Sequence, residues 1–446
     1  MKLTDQIINQ FNLEDALLVI SSFPSEGGEV ASDNAICRYT KLLLSAFPAN
    51  RKIVVVCEKR EKTDPYIING NILVMPTYTL GNPLMFLQME KIIRQFSKIS
   101  SINLQFEFSI YGGKITLFPL IFYLCSLKGR GKFVSIAIHQ VSNDLNELSA
   151  HLGIKRHGFK VFVLNRFLSI FYKFMNLSAN AFIVHDNFLK KRLSKHVSLN
   201  KIFVIAHGSE SYQGLSPFLR ASSREKFGVK KDEFIVLAFG YRSAYKGTDF
   251  IVSCLSRIAK ENPRLKIRLL LAGGESPTLR GTLSYFQFSK KLNRLINLDK
   301  KNVISLAFVA ESEVKSVFAA SDLVVFPYRA RMSASGALSL AFQYAKPILV
   351  SQKFSSNFEE SDIQNSLKNY LINKESIIFS MRKRSLESRL INLIKDTDLQ
   401  KKLSLAGAEI SMGRSWNLVS LKYDFVCINP AVLSGTTLYS PEFVRE

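Results

Sequence analysis

Residues Val324 to Ser351 read VVFPYRARMSASGALSLAFQYAKPILVS. An apolar strand pattern stops at Pro327 and a polar loop follows. Ser335-Gly336 then opens a helical pattern whose apolar side carries Leu338, Leu340, Ala341 and Tyr344, before a second strand runs from Ile348. Strand, helix and strand in this order make a βαβ unit, the building block of a parallel sheet. Glycine at 336 allows a ligand close to the backbone, and the amides of Ser335, Gly336 and Ala337, unpaired at a helix start, favour an anion. A serine cap with glycine in the first turn explains the same letters without a ligand.

Working outward, FGYRSAYKGTDFIV (Phe239 to Val252) repeats the arrangement. A strand ends at Gly240, a basic loop follows, and a helix begins near Gly247 with Phe250, Ile251, Cys254 and Leu255 on its apolar face. Arg242 and Lys246 stand where they would neutralise a diphosphate. Two anion loops, each after a strand end in one domain, fall where α/β sheets bind ligands.

Further strands are read at Ala16–Ile20, Lys52–Cys57, Ile72–Met75, Ile102–Phe106, Phe133–Ile138, Ala181–Val184 and Ile202–Ile205, then at Phe234–Phe239, Ile267–Ala272, Val303–Leu306, Leu323–Phe326 and Ile348–Val350. Continuous apolar runs alternating with helices imply parallel sheets covered on both faces. The alternation breaks at His207–Ser216, HGSESYQGLS, which reads as a hinge. The expected organisation is a Rossmann-like domain over residues 1–208, a second over 209–429 with C-terminal helices, and a surface tail over 430–446. Their sheets are expected to face each other across a cleft.

The 446 residues carry 60 Lys and Arg against 36 Asp and Glu, a net charge of +24 that calls for an anionic partner. Five scattered cysteines without a CxxC pair fit a reducing compartment and argue against a zinc site. No secretory signal is read at the start. The apolar run Ile115–Leu127 is interrupted by Pro119 and too short to span a bilayer. Asp396-Thr397-Asp398 has the DxD form of a metal-binding pair but precedes a helical run, so an N-terminal cap is the expected role and no metal is assigned.

These stretches resemble glycosyltransferase family 4, the retaining nucleotide-sugar transferases of the GT-B fold. FGYRSAYKGTDFIV, LLLAGGESP, NVISLAFVAESEVKSVFAASDLVVFPY and SASGALSLAFQYAKPILVS arrive in the family's order. SEGGEVA, LQFEFSIYGG, VSIAIHQV and KIFVIAHG resemble its acceptor-domain landmarks. The chain departs from the common pattern at Met332–Ser333 and Leu340–Ala341, where many members carry glutamates, and is closer to a variant with an SGxL motif.

The resemblance implies a donor site of Gly27, Gly240, Arg242, Lys246, Val309, Ser335, Gly336, Ala337 and Leu338. Gly112, Gly113 and His139 would contact the acceptor, and His139, Arg242 and Lys246 would carry catalysis without a metal. The donor would be a GDP- or UDP-sugar, and the acceptor a lipid-linked or polysaccharide glycan. A catalytically inactive scaffold or glycan-binding protein is the alternative that the missing glutamates leave open. A nucleic-acid binder is suggested by charge alone and lacks aromatic-basic recognition signatures.

Between Tyr111 and Lys201 stand 14 Lys or Arg against three acidic residues. In Val161–Leu177 a stripe of Arg166, Ser169, Lys173 and Asn176 faces a wide aromatic surface. Such a helix suits either an anionic lipid interface or a core position with snorkelling cations. The expected location is cytoplasmic, peripheral on the inner face of a membrane.

Overall fold

Each apolar run read as a strand forms one, in two sheets that the sequence break near residue 208 separates. The computed structural model describes residues 4–27, 35–60, 64–111, 114–148, 157–212, 214–277, 279–331 and 334–428. The chain divides into two compact units. The first holds residues 1–143, 165–207 and 416–446, and the second holds 144–164 and 208–415.

The first unit's sheet contains β1 (Leu17–Ile20), β2 (Ile53–Glu58), β3 (Tyr66–Ile68), β4 (Ile72–Tyr78), β5 (Ser101–Phe106), β6 (Phe133–Ile138), β7 (Ala181–Val184) and β8 (Ile202–Val204), in the order β3-β4-β2-β1-β5-β6-β7-β8. All neighbours are parallel except β3 and β4, an antiparallel hairpin turned by Asn69-Gly70, both at positive φ. The four residues of β1 are all buried, as a strand covered on both faces requires.

The helix Trp416–Cys427 belongs to this unit, whereas the span read from sequence carried the second domain on to residue 429. The reason lies in its buried face. Trp416, Val419, Tyr423, Val426 and Cys427 join the core of Leu17, Tyr39, Ile53 and Ala137. Tyr39 donates its hydroxyl hydrogen to Tyr423 at 3.0 Å, and Arg51 pairs with Asp424 at 2.8 Å. The segment read as a surface tail, 430–446, lies outside the described residues.

The second unit's sheet contains β9 (Phe234–Phe239), β10 (Ile267–Ala272), β11 (Val303–Leu306), β12 (Leu323–Phe326), β13 (Ile348–Ser351) and β14 (Ile378–Phe379), in the order β11-β10-β9-β12-β13-β14, all parallel. This is the doubly wound order in which the chain starts centrally, winds to one edge and returns to fill the other. The crevice at the reversal falls between β9 and β12. Asp396 accepts from the Leu399 amide at 2.8 Å and caps the helix Thr397–Gly413, the role expected of that DxD stretch.

Candidate active site

The two motif loops leave the C-terminal ends of β9 and β12, adjacent strands at the reversal point of the second sheet. Backbone contacts fix the first loop. Gly240 and Gly273 both have positive φ, and a Cβ on Gly273 would stand 2.1 Å from the Gly240 carbonyl oxygen. Gly247, at φ 69°, caps the helix Thr248–Glu261, and a Cβ there would stand 1.9 Å from the Pro327 oxygen. Only glycine fits either position, so these glycines of the motifs press backbone on backbone.

Arg329 ties the loops together. Its guanidinium donates to the Ala244 carbonyl at 2.7 Å and to both Asp249 carboxylate oxygens at 2.6 and 3.2 Å. Its own amide donates to the Tyr245 carbonyl at 2.6 Å.

Lys246 lies inside this clamp. A side chain at Gly240 would bring its Cβ to 3.0 Å from Lys246 Nζ, and the Tyr245 and Tyr328 rings lie 6.0 Å away. No carboxylate pairs with the ammonium among the described residues, and burial pushes it down to about 8. Tyr328 stands between this cation and the second loop: burial pushes its hydroxyl up to about 12, and the Ser335 side chain acts in the opposite direction. The Tyr328 ring is held by Phe354 at 4.5 Å, and its carbonyl accepts from Ser351 Oγ at 2.6 Å.

Ser335 caps the helix Gly336–Gln343, its oxygen accepting from the Leu338 amide at 3.2 Å. That amide is therefore occupied. The Gly336 and Ala337 amides have no partner among the described residues. Lys246 after β9, and Tyr328, Ser335 and the two free amides after β12, thus follow adjacent strand ends, where a buried cation and fixed N–H dipoles can hold an anion.

Arg242 takes a different direction. Its guanidinium donates to Ser305 Oγ at 2.9 Å and to the Leu306 carbonyl at the end of β11, and its amide donates to the Gly274 carbonyl at 2.9 Å. Its Nε is buried without a partner, and burial pulls the guanidinium below its usual range. Val309, partly buried on the second core, follows Phe308, whose backbone nitrogen would lie 3.3 Å from a Cβ on Gly274.

Gly27 and His139 belong to the first unit, and Gly112 and Gly113 lie outside the described residues. Gly27 turns the chain after β1 at φ 66°. His139 follows β6 and is only 6% exposed. Its Nε2 pairs with the Gln105 side chain at 2.8 Å and its Nδ1 with His185 Nε2 at 3.1 Å. His185 Nδ1 meets the Ile205 carbonyl at 3.1 Å, and the Tyr39 ring packs on His139, His185 and His207 at 4.7 to 5.1 Å. Burial, then His185 and His207, hold His139 well below the usual histidine range. Among the described residues, no cluster of three or more His, Cys, Asp or Glu is placed to hold a metal ion.

Tyr328 and Arg329 were not singled out in the sequence. Their only signal there is position, directly after the Pro327 that ends β12.

Two sheets, parallel apart from the β3–β4 hairpin and flanked by helices, have the architecture of the GT-B fold. Residues 233–378, within the second unit, match the family model described as glycosyl transferases group 1, which supports a transferase. Solved structures agree on the fold. Sucrose-phosphate synthase from Thermosynechococcus elongatus superposes with a TM-score of 0.68 at 14% identity, covering 94% of this chain and 100% of that one. Anabaena Alr3699/HepE in complex with UDP-glucose gives 0.63 at 16% identity, with 94% and 100% covered. WaaG, a glycosyltransferase involved in lipopolysaccharide biosynthesis, gives 0.61 at 14% identity, with 92% and 99% covered. Among curated proteins, none matches the chain by sequence.

Proposed function

We propose that the chain moves a hexose, of mannose or glucose type, from a GDP- or UDP-sugar to a lipid-linked or polysaccharide acceptor, with retention at the anomeric carbon. The bond from that carbon to the diphosphate breaks, a bond to an acceptor oxygen forms on the same face, and the acceptor hydroxyl passes its proton to the departing diphosphate. The carrying observation is Lys246, a cation with no carboxylate partner among the described residues, on the loop after β9 beside the strand β12 whose following loop leads to the helix start at Ser335. As negative charge builds on the departing diphosphate, Lys246 and the Gly336 and Ala337 amides would stabilise it without a metal. The UDP-glucose complex of HepE supports a UDP-sugar donor.

On the acceptor side, His139 enters as a positioning residue, with both ring nitrogens engaged. A lipid-linked acceptor is supported by the helix Phe159–Ser178. Its exposed face carries Phe159, Phe162, Val163, Ile170, Phe174 and Leu177 together with the cations Arg166 and Lys173. Ser169 and Asn176, read as part of a polar stripe, are only half-exposed, so the solvent face is aromatic and cationic. That chemistry suits anionic lipid at the inner face of a membrane. No helix among the described residues is long and apolar enough to cross one. WaaG's part in lipopolysaccharide biosynthesis is in keeping with such an acceptor.

A thermal-shift screen against UDP-, GDP- and ADP-sugars tests the donor. One of them should raise the melting temperature, and Lys246→Ala should lower kcat about 100-fold with that donor. Wild-type turnover in the variant would remove Lys246 from the reaction.

A further inference from the structure

The helix Leu283–Asn297 turns Tyr285, Leu292 and Ile296 into the second unit. Its other face borders an open groove of about 1040 Å³. At steps of three or four residues this face presents Leu283, Phe286, Lys290, Arg294 and Leu298, with Arg280 just before the helix. Leu283, Phe286 and Leu298 are 73%, 65% and 69% exposed. Such side chains are ordinary when scattered, but here they lie in register at the two ends of one face with cations between them. No ion pair holds Arg280, Lys290 or Arg294 among the described residues. Glu275, the one carboxylate among the lining residues, faces the Ser289 hydroxyl at 3.4 Å.

We infer that this groove seats an anionic phospholipid at a membrane surface, with the headgroup phosphate between Lys290 and Arg294 and the chain region against Leu283, Phe286 and Leu298. Charge complementarity selects an anion, and the apolar ends select one that carries hydrocarbon. A free phosphate would use the cations and leave three large apolar side chains in water. The groove is lined by residues of the second unit, none of them on the helix Phe159–Ser178, and the inference rests on the membrane reading of the proposed function. Seating there would also bear on the donor loop, because Tyr285 on the inner side of the same helix donates to the Arg242 carbonyl at 3.1 Å and accepts from the Ser276 amide at 2.9 Å.

The test uses the full chain and sedimentation with phosphatidylcholine vesicles, with and without phosphatidylglycerol. The double variant Lys290→Glu, Arg294→Glu should bind the anionic vesicles about 30-fold more weakly at low salt, since each cation near such a surface contributes about fivefold. Leu283→Ser with Phe286→Ser, at exposed positions that leave the fold intact, should remove the part of binding that survives high salt. Partition of both variants equal to wild type would overturn the inference. So would competition by soluble glycerol phosphate as effective as that by anionic vesicles, which would make the groove a site for a free anion. A wild-type chain that shifts with no nucleotide sugar counts against the donor reading and leaves the groove result standing. Variants that keep the donor shift and keep vesicle binding count against the groove alone.

Discussion

An ammonium group at Lys246 with no carboxylate beside it, pushed down to about 8 by burial, gives the donor reading a pH signature. In the free enzyme the proton leaves as pH rises through about 8, so kcat/KM should fall along an alkaline limb centred there. Lys246→Arg, charged throughout, should flatten that limb even if its longer side chain lowers the plateau. The sign for stability is opposite. A lowered lysine pKa means the unfolded chain holds the proton more tightly, so the cost of burying this charge is full below about 8 and fades toward the usual lysine value. A pH–rate profile flat through this region would dissociate Lys246 from the rate. At this scale the sequence was informative about Lys246, Ser335 and Gly336, because strand-loop-helix grammar places them. It was uninformative about Tyr328 and Arg329, whose importance comes from a neighbouring loop about 80 residues away in sequence, as in the Arg329–Asp249 pair.

Among the elements, the parallel strands were legible because each is a continuous apolar run buried on both faces. Two strands escaped. β14 has only two residues, Ile378 and Phe379, too few for any pattern. β3 is short and antiparallel, yet Asn69-Gly70 between apolar flanks is a recognised hairpin turn and was a readable signal. Glycines at strand ends carry a testable distinction between space and conformation. Gly273→Ala puts a methyl against the Gly240 carbonyl at φ 151° and should destabilise the second unit by roughly 3 kcal/mol or more in denaturant unfolding. Gly281→Ala, at φ 90° with nothing within 4 Å, should lose only about 1 kcal/mol. Equal losses would mean that backbone conformation, and not the β9–β10 contact, sets the requirement.

Across the whole molecule, all six histidines precede the break at residue 208, and at least His139 and His185 are buried with lowered pKa values, His185 mainly through desolvation. Below about pH 6.5 the unfolded chain takes up protons that these folded rings refuse. The first unit, which holds both His139 and His185, should therefore lose stability as pH falls, by up to about 1.4 kcal/mol per pH unit for each of the two. Calorimetry at successively lower pH should show one transition moving down ahead of the other. A first-unit transition that stays fixed between about pH 6.5 and 5 would rule out the buried histidines as its acid-sensitive element.

The helix Trp416–Cys427 gives the chain an order of assembly. Tyr39, Arg51 and Asn103 find Tyr423, Asp424 and Cys427 as partners across more than three hundred residues. During synthesis the first unit's strands leave the ribosome early, but its core stays open while the whole second unit is made, because the closing helix comes last. Residues 208–415 can condense on their own local contacts, whereas the first unit pays a long loop closure before its core is complete. The unit whose strands precede the other's is thus the later one to finish folding, and a chain ending at Ser415 loses the closure of the first unit rather than part of the second.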